Sequence, residues 1–142
     1  MTETITGGCH CGSLRYESGA GPIAAAHCQC LNCRKISATG HASFIMLPKA
    51  AVTITGAATA YLVEADSGNR VTRHFCPTCG TPVYSTNSGF PDAVFVTASG
   101  LDDPEVFQPM MLVYAGRGPA WDLIDPALPR FEGMPPAEAV PG

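Results

Sequence analysis

His27-Cys28-Gln29-Cys30-Leu31-Asn32-Cys33 packs three cysteines into a C-x-C-x-x-C pattern. The chain has 7 cysteines, and the other four flank this stretch as two pairs, Cys9 and Cys11 before it, Cys76 and Cys79 after it. Two short cysteine knuckles far apart in sequence are the usual way to build a closed four-thiolate zinc site. The Cys76-x-x-Cys79 knuckle is set in Pro77 and Gly80, and Cys9-x-Cys11 lies between Gly8 and Gly12. Glycine at such tips allows positive φ, so the backbone can turn toward an ion. Cys9, Cys11, Cys76 and Cys79 are therefore the expected ligands of a structural zinc, the metal favoured by soft thiolates.

That assignment leaves Cys28, Cys30 and Cys33. Three thiolates on one short stretch can occupy one face of a second metal, giving two zinc ions per chain. The fourth position would be open to water or a substrate atom, and an open position marks a catalytic zinc. A side chain such as His27 or His41 could close it instead, or the trio could be a reduced thiol cluster filled only transiently. Three thiolates on a dication leave net negative charge, which weakens the metal as a Lewis acid. Such a site suits capture of a thiol by exchange better than activation of water.

Composition bounds the rest. A chain of 142 residues suits one domain. Hydrophobic residues make up 46% and charged ones only 14%, which supports a real core. Gly 15 and Pro 13 favour many turns and short strands over long helices. The net charge of -4, with Lys+Arg at 8 and no basic run, argues against nucleic acid as a partner. No stretch reaches the ~18 apolar residues of a membrane span, and the N-terminus lacks the basic and apolar regions of a signal peptide. A cytoplasmic location is the default expectation. Thiols stay reduced there, so close-spaced cysteines read as ligands before disulfides.

Taken in order, the chain reads as mainly β. Thr4-Ile5-Thr6 and Ser13 to Glu17 make a hairpin with the first knuckle at its tip. Ile23 to His27 reads as a buried strand leading into the trio, although its alanines are also compatible with a helix. One or two helical turns are expected over Leu31–Ser37. Strands are expected over His41–Leu47, Val52–Thr55, Ala60–Val63, Val71–Phe75 and Ala93–Ala98, Thr81 to Ser85 leads away from the second knuckle, and Val71, Arg73 and Phe75 should share a face. Met110 to Tyr114 is apolar throughout and expected to be buried. Trp121 is the one large anchor in a Gly- and Pro-rich C-terminal region, read as a core residue. The organised domain is expected over 1–135, with 136–142 a flexible tail.

Some residues carry weaker signals. Arg34 and Lys35 follow Cys33 and could pair with carboxylates of an acidic substrate, offset the thiolate charge, or be surface charges on a short helix. His41 opens the strand after the trio and is a third substrate-facing candidate. His10 reads as solvent-facing or as a support for the knuckle, and His74 as a strand-face residue.

The three cysteine motifs together resemble a known family. Gly8-Cys9-His10-Cys11-Gly12-Ser13-Leu14-Arg15-Tyr16, Cys28-Gln29-Cys30-Leu31-Asn32-Cys33-Arg34-Lys35 and Phe75-Cys76-Pro77-Thr78-Cys79-Gly80-Thr81 are similar, in order, to the motifs of the glutathione-dependent formaldehyde-activating enzyme, or centromere protein V, family. Ala120-Trp121 and Leu128 to Pro135 resemble its C-terminal segment. The resemblance implies coiled antiparallel β-sheets of the beta-tent type. It also implies a structural zinc on Cys9, Cys11, Cys76 and Cys79 and a second zinc on Cys28, Cys30 and Cys33 where glutathione competes for metal. The named activity is a carbon–sulfur lyase reaction, condensation of formaldehyde with glutathione to S-hydroxymethylglutathione. This chain departs from many members in lacking a histidine over Gln108–Val113.

The expected function is a zinc-dependent enzyme acting on a small thiol adduct, with glutathione the favoured thiol. The alternative is a non-catalytic zinc- or thiol-binding or protein-interaction module. The two-site division is testable by metal analysis with circular dichroism. A Cys33→Ser variant is expected to lose about one metal per chain and keep its fold, whereas Cys79→Ser unfolds. Equal unfolding of both variants would remove the division.

Overall fold

The computed structural model describes residues 4–135, and the expected tail, 136–142, lies outside the described residues. Alternating apolar and polar residues produce short strands, and glycine, proline and the cysteine knuckles interrupt them. The order is β1 (Ile5–Gly8), β2 (Arg15–Ser18), β3 (Ala24–Cys28), α1 (Leu31–Ser37), β4 (Ala42–Pro48), β5 (Val52–Thr55), β6 (Thr59–Glu64), β7 (Arg70–Phe75), β8 (Pro82–Asn87), β9 (Ala93–Thr97) and β10 (Met111–Val113). Single 3-10 turns follow β4, β9 and β10, and another precedes β10.

The strands form two sheets. One has three strands in the order β1-β2-β5. The other has seven in the order β10-β3-β4-β9-β8-β7-β6. Neighbours are antiparallel, as expected, except that β10 lies parallel to β3 with Val113 opposite Cys28. The first knuckle sits at the β1–β2 tip. The second joins β7 to β8, whose register shifts between His74 and Phe75 just before Cys76.

The period of two along a strand divides the larger sheet into two faces. Ala25, Ile45, Leu47, Val83, Val94 and Val96 are buried with Ile5 and Tyr16 of the smaller sheet and with Leu14 just before β2, forming the main core. The alternate residues Ala24, Ala26, Ala42, Phe44, Met46 and Phe95 turn to the other face, which lines a large cavity. Val71, Arg73 and Phe75 also line it, on the shared face their spacing predicts.

Two expectations from apolar character are corrected. Trp121 is 69% exposed and anchors no core, because it lies in a loop outside both sheets. Met110 is also exposed, whereas Met111 is buried. Met110 precedes β10, whose three residues Met111–Val113 are all buried. Leu31–Ser37 is helical as predicted, and its last turn carries Arg34 and Lys35, where cations complement the helix dipole.

Gly56 ends β5 against the first knuckle. Its φ is +102°, and a Cβ added there would lie 2.0 Å from the Ser13 carbonyl oxygen. Both the left-handed backbone and the steric conflict exclude alanine without rearrangement. Gly56→Ala is expected to destabilise the protein by about 2 kcal/mol or more, read as a lower urea midpoint at unchanged slope.

Candidate metal centre and adjoining cavity

The knuckle loops bring Cys9, Cys11, Cys76 and Cys79 together, with all four sulfurs within 4.8 Å of one another. Cys11 Sγ lies 3.6 Å from Cys9 Sγ and 3.7 Å from Cys76 Sγ. A tetrahedral ion with Zn–S bonds of ~2.3 Å needs sulfur–sulfur edges of ~3.8 Å, so the donor set fits zinc in number, chemistry and spacing. Backbone amides complete the nest. Leu14 N–H donates to Cys9 Sγ at 3.3 Å, and Thr78 N–H to Cys76 Sγ at 3.4 Å. The Ser13 hydroxyl lies 3.1 Å from Cys11 Sγ and 3.3 Å from Cys76 Sγ. A hydrogen bond with Thr81 is the largest influence holding the Cys79 thiol down, to about 5. His10 is exposed, and its backbone N–H donates to Thr81 Oγ1 at 3.2 Å. This four-sulfur cluster is closed by protein ligands and joins the tip of the β1–β2 hairpin to the β7–β8 connection.

Cys28, Cys30 and Cys33 form a second cluster whose sulfurs also lie within 4.8 Å of one another. Cys28 ends β3, Cys30 caps α1 and Cys33 sits in its first turn. The Cys30 sulfur accepts a hydrogen bond from the Cys33 N–H at 3.3 Å, so one atom is both helix cap and candidate ligand. Hydrogen bonds from Cys28 and Cys33 pull the Cys30 thiol well below its ordinary value. The contact with Cys30 pushes Cys28 up. Three sulfurs on one side of a prospective ion fit a soft metal with a further position to fill. No His, Asp or Glu of the described residues joins this cluster.

All three thiols line the cavity, whose volume is about 680 Å³. His41 also lines it, but Arg34 and Lys35 do not. The Arg34 Nε instead donates to the Gln29 carbonyl at 3.2 Å, securing the turn between Cys28 and Cys30. His41 Nδ1 lies 2.9 Å from Asp122 Oδ2, and Gln29 Nε2 donates to the same oxygen at 2.8 Å. Burial acts to raise the Asp122 pKa, but the hydrogen bonds from Gln29 and His41 outweigh it and leave the carboxyl below its ordinary value. The His27 ring meets His41 edge-on, with centroids 4.8 Å apart, and His27 Nδ1 is 2.7 Å from Ser43 Oγ. Burial, then the nearby His41, lower the His27 pKa and favour its neutral form.

Three residues, two on the wall and one behind it, escaped the site reading of the sequence. Arg73 Nη2 lies 3.8 Å from Cys33 Sγ. The available signal was its place on one face of β7 between Val71 and Phe75. Tyr114 packs against the Cys28 and Cys33 cluster with a left-handed backbone, φ 54°. Such a conformation in a non-glycine residue costs about 1–2 kcal/mol and is maintained by its surroundings. Asp122 reaches His41 from a loop 81 residues away, and no local pattern marks it. His74 lies flat on Tyr84, with centroids 4.2 Å apart.

A family model described as glutathione-dependent formaldehyde-activating enzyme matches residues 4–117. No curated protein matches the chain in sequence. Among solved structures, the crystal structure of a Rhodobacter sphaeroides protein, a structural genomics target, is similar with a TM-score of 0.56 and 19% sequence identity, covering 89% of this chain and 98% of that chain. At that identity the likeness speaks for the fold alone. The family match runs from β1 through the trio and past the second knuckle, taking in every cysteine of both clusters, and the chain belongs to the glutathione-dependent formaldehyde-activating enzyme family.

Proposed function

We propose that the protein is a zinc-dependent enzyme of carbon–sulfur lyase type that joins a small thiol to an aldehyde, with glutathione the favoured thiol and formaldehyde the simplest aldehyde. The observation that carries this reading is the trio of thiols within 4.8 Å of one another on the wall of a large cavity, with no protein group of the described residues to complete the set. Cys28, Cys30 and Cys33 would hold the ion. Zinc bound there supplies a position at which a thiol sulfur is held as thiolate.

The remaining chemistry belongs to the chain. In the forward direction a sulfur–carbon bond forms, the carbonyl π bond breaks, and the thiol proton ends on the new hydroxyl oxygen. His41, on the cavity wall, would carry that proton. Asp122 accepts from His41 Nδ1–H, which leaves Nε2 as the basic nitrogen. Gln29 holds Asp122 in place from the chain segment that carries the ligands. The Arg73 guanidinium beside Cys33 offsets thiolate charge and can hold a substrate carboxylate. Holding sulfur and aldehyde together in a confined cavity supplies the larger part of the gain, because proximity converts an encounter in solution into a unimolecular step.

Calorimetric titration of the metal-loaded protein with glutathione is expected to show saturable binding, and addition of formaldehyde to accelerate condensation above the uncatalysed rate, followed by exchange spectroscopy. Binding without acceleration favours a carrier or interaction module, and absence of both removes the thiol reading. The wall residues should separate by kinetic effect. Arg73→Gln raises KM for glutathione by about tenfold at unchanged metal content. His41→Ala mainly lowers kcat, by on the order of a hundredfold.

A further inference from the structure

Paired residues across the larger sheet form three rungs along the cavity floor. The first holds Val113, Cys28 and Ala42, the second Met111, Ala26, Phe44 and Thr97, and the third Ala24, Met46 and Phe95. From Cys28 to Ala24 the floor runs roughly 13 Å at ~3.3 Å per residue. The thiols stand at one end. Phe44 packs beside Cys28 and Cys33 on the second rung and meets Phe95 edge-on, with centroids 5.5 Å apart. Phe90 meets Phe95 in turn at 5.8 Å, and both pack on Ala24, Met46 and Ala93.

The charged residues of the wall are largely paired. Arg117 is paired with Asp66, and His41 with Asp122. Among the described residues Arg73 is the cavity cation without a carboxylate partner, and it lies beside Cys33. The row Phe44, Phe95, Phe90 thus leads away from the sulfurs to an aromatic end, with Ser85 and Asn87 also on the wall, and the cavity volume of about 680 Å³ is in the range of sites for drug-sized ligands. Formaldehyde has no carbon skeleton to place on the aromatic end.

We propose that this end takes the side chain of an aldehyde much larger than formaldehyde, aromatic or branched aliphatic, so that the adduct made at the trio is a bulky thiohemiacetal. This assignment of substrate class rests on the thiol reading above. The thiol sulfur lies at Cys28, Cys30 and Cys33 and its carboxylate at Arg73. The aldehyde carbon faces the sulfur, and its apolar group extends past Phe44 to Phe95 and Phe90. The balance is that of simple addition: a C–S bond forms, the C=O π bond breaks, and the thiol proton passes to oxygen, with no oxidant or reductant.

The metal-loaded protein is titrated with 2-phenylethanol, an unreactive stand-in for the apolar group, and with ethanol. The aromatic alcohol is expected to bind on the order of tenfold or more tighter. Phe95→Ala should remove most of that difference. Ala24→Leu, which narrows the same end without deleting a core side chain, should do so too. Indistinguishable binding of the two alcohols, or a preference untouched by both substitutions, overturns the assignment. In the condensation assay with glutathione, phenylacetaldehyde should exceed formaldehyde in kcat/KM by a similar factor. Protein that binds 2-phenylethanol in this way but not glutathione retains the aromatic site and loses the thiol reading. Protein that condenses formaldehyde as well as phenylacetaldehyde retains the thiol reading and loses the larger aldehyde.

Discussion

The four sulfurs of Cys9, Cys11, Cys76 and Cys79 are the constraint on which the other features depend. They come from two loops 65 residues apart, one in each sheet, and they meet at sulfur–sulfur distances suited to a tetrahedral soft ion. Cys76 is fully buried at the edge of the main core, and Leu14 is buried beside the first knuckle. The junction therefore continues the packing between the sheets. It also fixes the end of β7, the strand that carries Arg73, relative to the smaller sheet.

The larger sheet turns that junction into a site through two properties. Alternation gives one face to the core and the other to the cavity, so a single strand such as β4 buries Ile45 and Leu47 on one side and offers Phe44 and Met46 on the other. The path of the chain after β3 does the rest. Ala24, Met46, Phe95, Ser85 and Arg73 are successive partners across five strands. In a flat sheet the outer two would stand about 19 Å apart, at ~4.8 Å per strand. Arg73 nevertheless reaches Cys33 of α1, the helix that follows the strand of Ala24 after a two-residue turn. Residues of α1 and of β7 both line the cavity, which lies over this face of the sheet.

Much of this was legible in the sequence because its causes are local. C-x-C and C-x-x-C spacings declare turns that can face an ion, and their division into a four and a three follows from counting ligands. The helical turns over Leu31–Ser37 were expected from the sequence, and the alternation over Val71–Phe75 placed Arg73 with two apolar neighbours. Trp121 misled because bulk and apolarity suggest a core residue, and only its position outside both sheets reveals its exposure. Arg34 and Lys35 drew attention by adjacency to Cys33, yet α1 carries them off the cavity wall and sets Arg34 against the Gln29 carbonyl.

By itself the sequence determined the cysteine grouping, the mainly β character and the family, since each rests on residue types at short, fixed spacings. Tertiary structure alone decided what surrounds the trio. Arg73 arrives from β7 to meet Cys33 of α1 40 residues away, Asp122 by a loop contact 81 residues distant from His41, and the aromatic end by the register of β4 with β9. Those partners are set by how strands pair and bend over long separations, and no short window of residues encodes that.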